Sequence, residues 1–247
     1  MGFAGERPNA SETGTNSVSP TVLINETSRF CASSTDNIRF MATVLALETT
    51  SEICSVALNF GRNILAESRI APRRHNELVL KMVDKLLVAL EIHRKSIDVL
   101  AFSCGPGSFT GVRLGAAVAQ GIAMGLDIQV IPVPTSDVMA NRVAKCFTQR
   151  SEFFLHRRSH KGWAYVARYA LAAGSCTCVE SDRLVEECRI PENAIGCHDV
   201  FFTAEDVIDV AYKRLDRRVP PHLALPKLVD GDSPYTPGAG QSKSDQF

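Results

Sequence analysis

One stretch of the chain, from Cys104 to Leu126, constrains the fold more than any other. It reads Cys-Gly-Pro-Gly-Ser-Phe-Thr-Gly-Val-Arg-Leu-Gly-Ala-Ala-Val-Ala-Gln-Gly-Ile-Ala-Met-Gly-Leu and follows an apolar run, 97–103, with the character of a buried strand. Gly105, Pro106 and Gly107 break the chain, and Ser108 suits the N-cap of a helix over 109–126. That helix carries one charge, Arg113, and one amide, Gln120. A surface helix shows a polar face; a helix apolar nearly all round is expected to be buried on both sides. Gly107, Gly111 and Gly115 recur every four residues, and Phe109, Val112, Ala116, Ala119 and Ala123 form a second, mostly small ridge. Interior glycines cost a helix about 1 kcal/mol each relative to Ala, which points to something packed very close. A membrane span needs about 20 apolar residues; this run is barely long enough, has four glycines and carries Arg113. The expectation is a helix pressed between its own sheet and a second body.

The chain of 247 residues is long enough for one large or two modest domains. A hydrophobic content of 45% and a charged content of 22% are ordinary for a globular protein. Net charge is zero, so long-range steering toward nucleic acid has no source in the whole molecule. The eight cysteines lack C-x-x-C spacing and read as reduced thiols, not a zinc site or a disulfide framework.

Residues 1–40 are rich in Ser, Thr and Asn, with no apolar h-region and no hydrophobic periodicity, and read as a disordered extension. Met41, followed at once by a strand, also reads as an alternative start. Strands are expected over 43–47, 53–60 and 64–70, the last two joined by a Gly61-Arg62-Asn63 turn. Leu78, Met82, Leu86 and Leu90 then repeat every four residues, which predicts a helix over 76–90 that His75 opens. A strand over 128–133 and a helix to about residue 145 complete a first lobe, 41–143. A second lobe, 144–230, has weaker signals: strands over 152–155 and 163–170, and a helix over 204–215. The basic run His156-Arg157-Arg158-Ser159-His160-Lys161 reads as a solvated turn, and Pro220 onward as a tail, flexible over 231–247. Strand–helix alternation argues for α/β architecture with mixed sheets.

Standard chemical motifs fail here. A P-loop needs Lys-Ser or Lys-Thr after its last glycine, and Val112-Arg113 stands there. The spacing from Gly105 and Gly107 to Gly111 is one residue too long for a dinucleotide fingerprint. No G-x-S-x-G elbow and no H-E-x-x-H occurs.

The run from Met41 to Leu58, the helix opened by Arg73-Arg74-His75, and Gly105-Pro-Gly-Ser-Phe-Thr-Gly-Val-Arg113 together resemble the TsaB (YeaZ) family of bacterial tRNA threonylcarbamoyladenosine biosynthesis proteins. The resemblance is strong from Met41 to about Ala140. It implies a two-lobed actin/Hsp70-type ATPase-like (ASKHA) fold and a non-catalytic subunit. Such a subunit pairs with TsaD and, with TsaE, supports transfer of threonylcarbamoyl to N6 of adenosine 37 in tRNAs reading codons that start with A. It also implies a homodimer when alone, a cytoplasmic location, no membrane, contact with tRNA through the complex, and no cofactor bound alone, with ATP or ADP at the interface with TsaD. The partner interface would comprise the first two helices, with His75, Leu78, Met82, Leu86, Phe109, Gly111, Val112, Arg113, Gly115, Ala116 and Ala119. TsaD carries a metal-binding H-x-x-x-H on the equivalent helix, whereas here Val79 follows His75 by four, so neither a metal site nor a catalytic residue is expected. The second half departs from the family pattern: Asp-Ala-Arg-x-x-Glu-Val-Tyr is replaced at 156–163, and Pro-x-Tyr-Leu-Arg is reduced to Pro234-Tyr235-Thr236. Arg157, Arg158 and Lys161 would be a local patch for tRNA phosphates. The alternative is an independent ATP-dependent small-molecule kinase or ATPase of the same superfold. Glu48-Thr49-Thr50-Ser51 would supply its acid but lacks the glycines of a phosphate loop.

Overall fold

The computed structural model describes residues 23–25, 42–61, 63–146, 152–172 and 174–229. Its first sheet has strands β1 (Leu23–Asn25), β2 (Val44–Glu48), β3 (Ile53–Phe60), β4 (Asn63–Ile70), β5 (Val99–Gly105) and β6 (Gln129–Pro134), in the order β1-β4-β3-β2-β5-β6. The β2–β3–β4 meander is antiparallel, and β2, β5 and β6 run parallel. Every residue of β2 is buried, the mark of a strand covered on both faces. The pleat divides them: Leu45 and Leu47 face one layer, Val44 and Ala46 the other.

The layer on the first face is α1 (His75–Ala89) and α2 (Phe109–Leu126), with Val79, Met82, Leu86, Ala116, Ala119 and Ala123 meeting the sheet. On the second face lie α3 (Thr135–Cys146) and α4 (Ala204–Tyr212). The second sheet, β7 (Glu152–Arg158), β8 (Trp163–Ala172), β9 (Ser175–Glu186) and β10 (Ile195–Gly196), has the order β10-β7-β8-β9. Its Phe153, Leu155, Ala167 and Tyr169 join the core of α3 and α4. α4 thus sits against the first sheet, where Tyr212 Oη donates to Ala42 O at 3.0 Å and Ser55 Oγ accepts from Ala204 N at 3.1 Å.

α2 has the bounds the sequence predicts, and Ser108 Oγ accepts from Gly111 N at 3.3 Å as its cap. Its surroundings differ from the expectation. Only one face is buried within the chain; Arg113, Ala117, Gly121 and Met124 are exposed on a helix that is, by length and composition alone, long and apolar enough to cross a membrane. The glycines divide along the same line. A Cβ on Gly111 would lie 2.0 Å from Thr49 O, and one on Gly115 would lie 2.7 Å from Thr49 Oγ1. Cβ atoms on Gly121 and Gly125 would meet nothing within 4 Å. The close body that Gly111 and Gly115 accommodate is therefore the chain's own β2–β3 turn, not a partner.

Three further expectations are corrected. Part of the 1–40 extension, Leu23–Asn25, pairs antiparallel with Ile64–Ala66 of β4; the rest of that extension lies outside the described residues. The basic run at 156–161 is not a solvated turn throughout, because β7 continues to Arg158 and Arg157 is buried. The segment after Pro220 is packed as far as it is described, with Ala224 fully buried and Lys227 N donating to Cys104 O at 2.7 Å. The tail over 231–247 lies outside the described residues.

Gly111→Ala should lower the free energy of unfolding by about 3 kcal/mol, the upper end for overpacking, because the obstacle is backbone. Gly121→Ala should raise it by about 1 kcal/mol through helix propensity alone. Urea denaturation of the two variants checks both; equal effects would contradict the division of the helix into two faces.

Candidate functional site

The first surface with functional character is the outward side of α1 and α2. Between the helices runs a groove of about 350 Å³ lined by Leu80, Val83, Asp84, Leu87, Gly121 and Ile122. Around it Leu80 is 52% exposed, Val88 76% and Met124 67%. Water bears on these side chains in the isolated chain, and their burial is the main favourable term available to a docked protein.

The interface residues expected from the sequence fall into two groups. Phe109 and Arg113 are exposed, with the Arg113 guanidinium 3.4 Å above the Phe109 ring, and Leu78 is half-buried. His75, Met82, Leu86, Gly111, Val112, Gly115, Ala116 and Ala119 are buried in the chain's own fold. Of these eight, Met82, Leu86, Ala116 and Ala119 join the helices to the sheet, and Gly111 and Gly115 abut Thr49. The small ridge of α2 faces inward, where small residues let the helix backbone approach its own sheet. Leu80, Asp84, Val88, Ala117, Gly121 and Met124, which no sequence motif marks, lie on the same helices turned toward solvent. Among the described residues no group of three His, Cys, Asp or Glu side chains is placed to hold a metal, and Val79 is buried one turn after His75.

The second surface is the seam between the two sheets. Glu48, at the end of β2, is fully buried and accepts from Thr50 N and Thr50 Oγ1, each at 2.6 Å, and from Ser103 Oγ. Burial raises its carboxyl above the usual range, against these hydrogen bonds. Across the seam Asp182 of β9 accepts from Arg157 Nη2 at 2.8 Å, from Lys227 Nζ at 2.9 Å and from Ser136 Oγ. Burial alone would raise the Asp182 carboxyl, but the Arg157 and Lys227 charges and the Ser136 hydroxyl outweigh it and hold it low. Burial also pushes the neighbouring Cys104 thiol up to about 11, so it is no nucleophile at neutral pH. Arg157 is therefore unavailable to tRNA phosphates. Of the expected basic patch, Lys161 is exposed and Arg158 lies 3.3 Å from Glu187.

A mixed sheet with paired helices on one face, a second sheet across a polar seam and a helix returning between them define a two-lobed protein of the actin/Hsp70-type (ASKHA) class. Comparison with known proteins sharpens this. The family description "TsaD: tRNA N6-adenosine threonylcarbamoyltransferase" matches residues 63–153. The TsaB protein of Haemophilus influenzae is 45% identical over 98 residues, which cover 40% of this chain and 42% of that protein. The Escherichia coli TsaB protein is 41% identical over 97 residues, covering 39% and 42%. The solved structure of YeaZ from Pseudomonas aeruginosa superposes with a TM-score of 0.68 at 27% identity, covering 76% of this chain and 100% of that one. Over this first lobe the chain is similar to proteins of the TsaB (YeaZ) family. It spans about two-fifths of the length of the curated relatives it matches.

Asp182→Asn should cost about 3 kcal/mol at neutral pH, the lower end for breaking a buried charge pair. A carboxyl held low in the fold stabilises fully above its unfolded value, about 3.9, and loses that contribution as pH falls through the folded value. The gap between variant and wild type should therefore shrink below about pH 4. Glu48, raised in the fold, has the opposite sign, favouring the folded state more as pH falls. Denaturation curves of wild type and variant from pH 7 to pH 3 check this; a constant gap would contradict the assignment.

Proposed function

We propose that the chain is a non-catalytic subunit that docks a TsaD-type transferase and so supports threonylcarbamoyl transfer to N6 of adenosine 37 in tRNA. The observation that carries this reading is the outward side of α1 and α2: two helices fixed to their sheet by one face and presenting apolar residues around a groove on the other. The relatives support it, since the similar Haemophilus influenzae and Escherichia coli proteins are tRNA threonylcarbamoyladenosine biosynthesis proteins. The same face would pair two copies when the transferase is absent, so homodimer and heterodimer compete for one surface. In this reading TsaE joins the pair, tRNA is contacted through the complex in the cytoplasm, and ATP or ADP sits at the junction with the transferase.

The chemistry at the seam agrees with a docking role. Glu48 is surrounded by Thr50 and Ser103, and Asp182 by Arg157, Lys227 and Ser136, so both carboxylates are engaged within the protein.

The double variant Leu80→Asp/Met124→Asp should bind TsaD at least tenfold more weakly, about 1.4 kcal/mol. Both positions are exposed, so its unfolding free energy should stay within about 0.5 kcal/mol of wild type. Titration calorimetry with purified TsaD checks the first and urea denaturation the second. Unchanged affinity in a folded variant would remove the α1–α2 face from the interface.

A further inference from the structure

Asp182 is bonded by more positive charge than one carboxylate balances. Arg157 comes from β7, Lys227 from the C-terminal segment and Ser136 from the first turn of α3, and all three converge on it. The Arg157 side chain is 6% exposed and that of Asp182 2%, so the pair is deeply enclosed, while Lys227 at 34% exposure marks the side open to water. The guanidinium is not saturated. Its Nη2 also donates to Ser136 Oγ at 3.0 Å and its Nη1 lies 3.0 Å from Met139 Sδ, a weak acceptor, while Nε is buried without a partner. Glu48, the other buried carboxylate on this side, takes its hydrogen bonds from Thr50 and Ser103.

The backbone that carries Asp182 is irregular. Val166 of β8 pairs with Arg183, but the next aligned pair is Arg168 with Glu180, so Ser181 and Asp182 stand against the single residue Ala167. Such a bulge re-aims side chains and leaves the ladder locally broken. The carboxylate is thus held by its ion pairs more than by the strand around it.

We propose that Arg157, Lys227 and Ser136 form a built anion site which Asp182 fills as a tethered occupant, and that a small phosphoryl anion the size of inorganic phosphate competes with it. A tetrahedral dianion offers more acceptors than a carboxylate and a second negative charge, matching the unused Arg157 donor and the two cations that converge here. Binding moves the bulged segment of β9 outward and leaves the cations in place. The site is separate from the α1–α2 face and does not depend on docking.

The test titrates sodium phosphate into the full chain at pH 7.5 against sodium chloride at matched ionic strength. Asp182→Asn should bind phosphate at least tenfold more tightly than wild type, and Arg157→Met in that background should abolish the gain. A folded Asp182→Asn chain with wild-type phosphate affinity would overturn the proposal. Should Asp182→Asn fail to fold, wild type decides. Phosphate, and not chloride, should speed amide hydrogen exchange at 181–183, and exchange identical in the two salts would overturn the proposal.

Discussion

The close approach of α2 to the β2–β3 turn sets the geometry of everything around it. Thr49 O lies where a Cβ on Gly111 would be, and Thr49 Oγ1 donates to Gly111 O at 2.8 Å. Gly107 is held as tightly, since Ser108 N donates to Thr50 O at 2.8 Å and a Cβ on Gly107 would meet that oxygen at 2.7 Å. With its first two turns fixed in this way, α2 has one rotational setting. Val112, Ala116, Ala119 and Ala123 must then face the sheet, and Ala117, Gly121 and Met124 must face out. The apolar outward side is a consequence of a contact made on the inward side.

Much of the first lobe was legible because its signals are local. Alternating β3, the four-residue repeat of α1 and the Ser108 cap are all written within a few residues of where they act. The facing of α2 was not legible in the same way. A helix with one charge and one amide has no polar stripe to mark its solvent side, so its periodicity carries no direction; only the position of Thr49 decides. The seam was harder still. Arg157 belongs by composition to a basic run, and its burial depends on Asp182, twenty-five residues on, and on Ser136, twenty-one residues back. Neither partner lies in a motif, and the long β9 that carries Asp182 is broken by a bulge that interrupts its alternation.

The C-terminal segment ties these regions together. Gln120 Nε2 of α2 donates to Ala224 O at 3.2 Å, Lys227 N donates to Cys104 O at the end of β5, and Lys227 Nζ reaches Asp182. Val219 also bridges to Val130 of β6. One short stretch therefore contacts the proposed docking helix, the central sheet and the interlobe ion cluster. The link to α2 is a single hydrogen bond and the link to Asp182 a single ion pair, so the segment fastens both regions to the sheet.

The proposed docking surface is the outward, not the inward, side of α1 and α2. Amide hydrogen exchange of the full chain with and without TsaD, read by mass spectrometry at single-residue resolution, tests it directly. Slowed exchange should follow the solvent-facing rows, around Leu80, Asp84 and Val88 and around Ala117, Gly121 and Met124. Exchange at the strands of the second sheet should stay unchanged. Protection confined to the second lobe, with both helices exchanging as in the free chain, would contradict it.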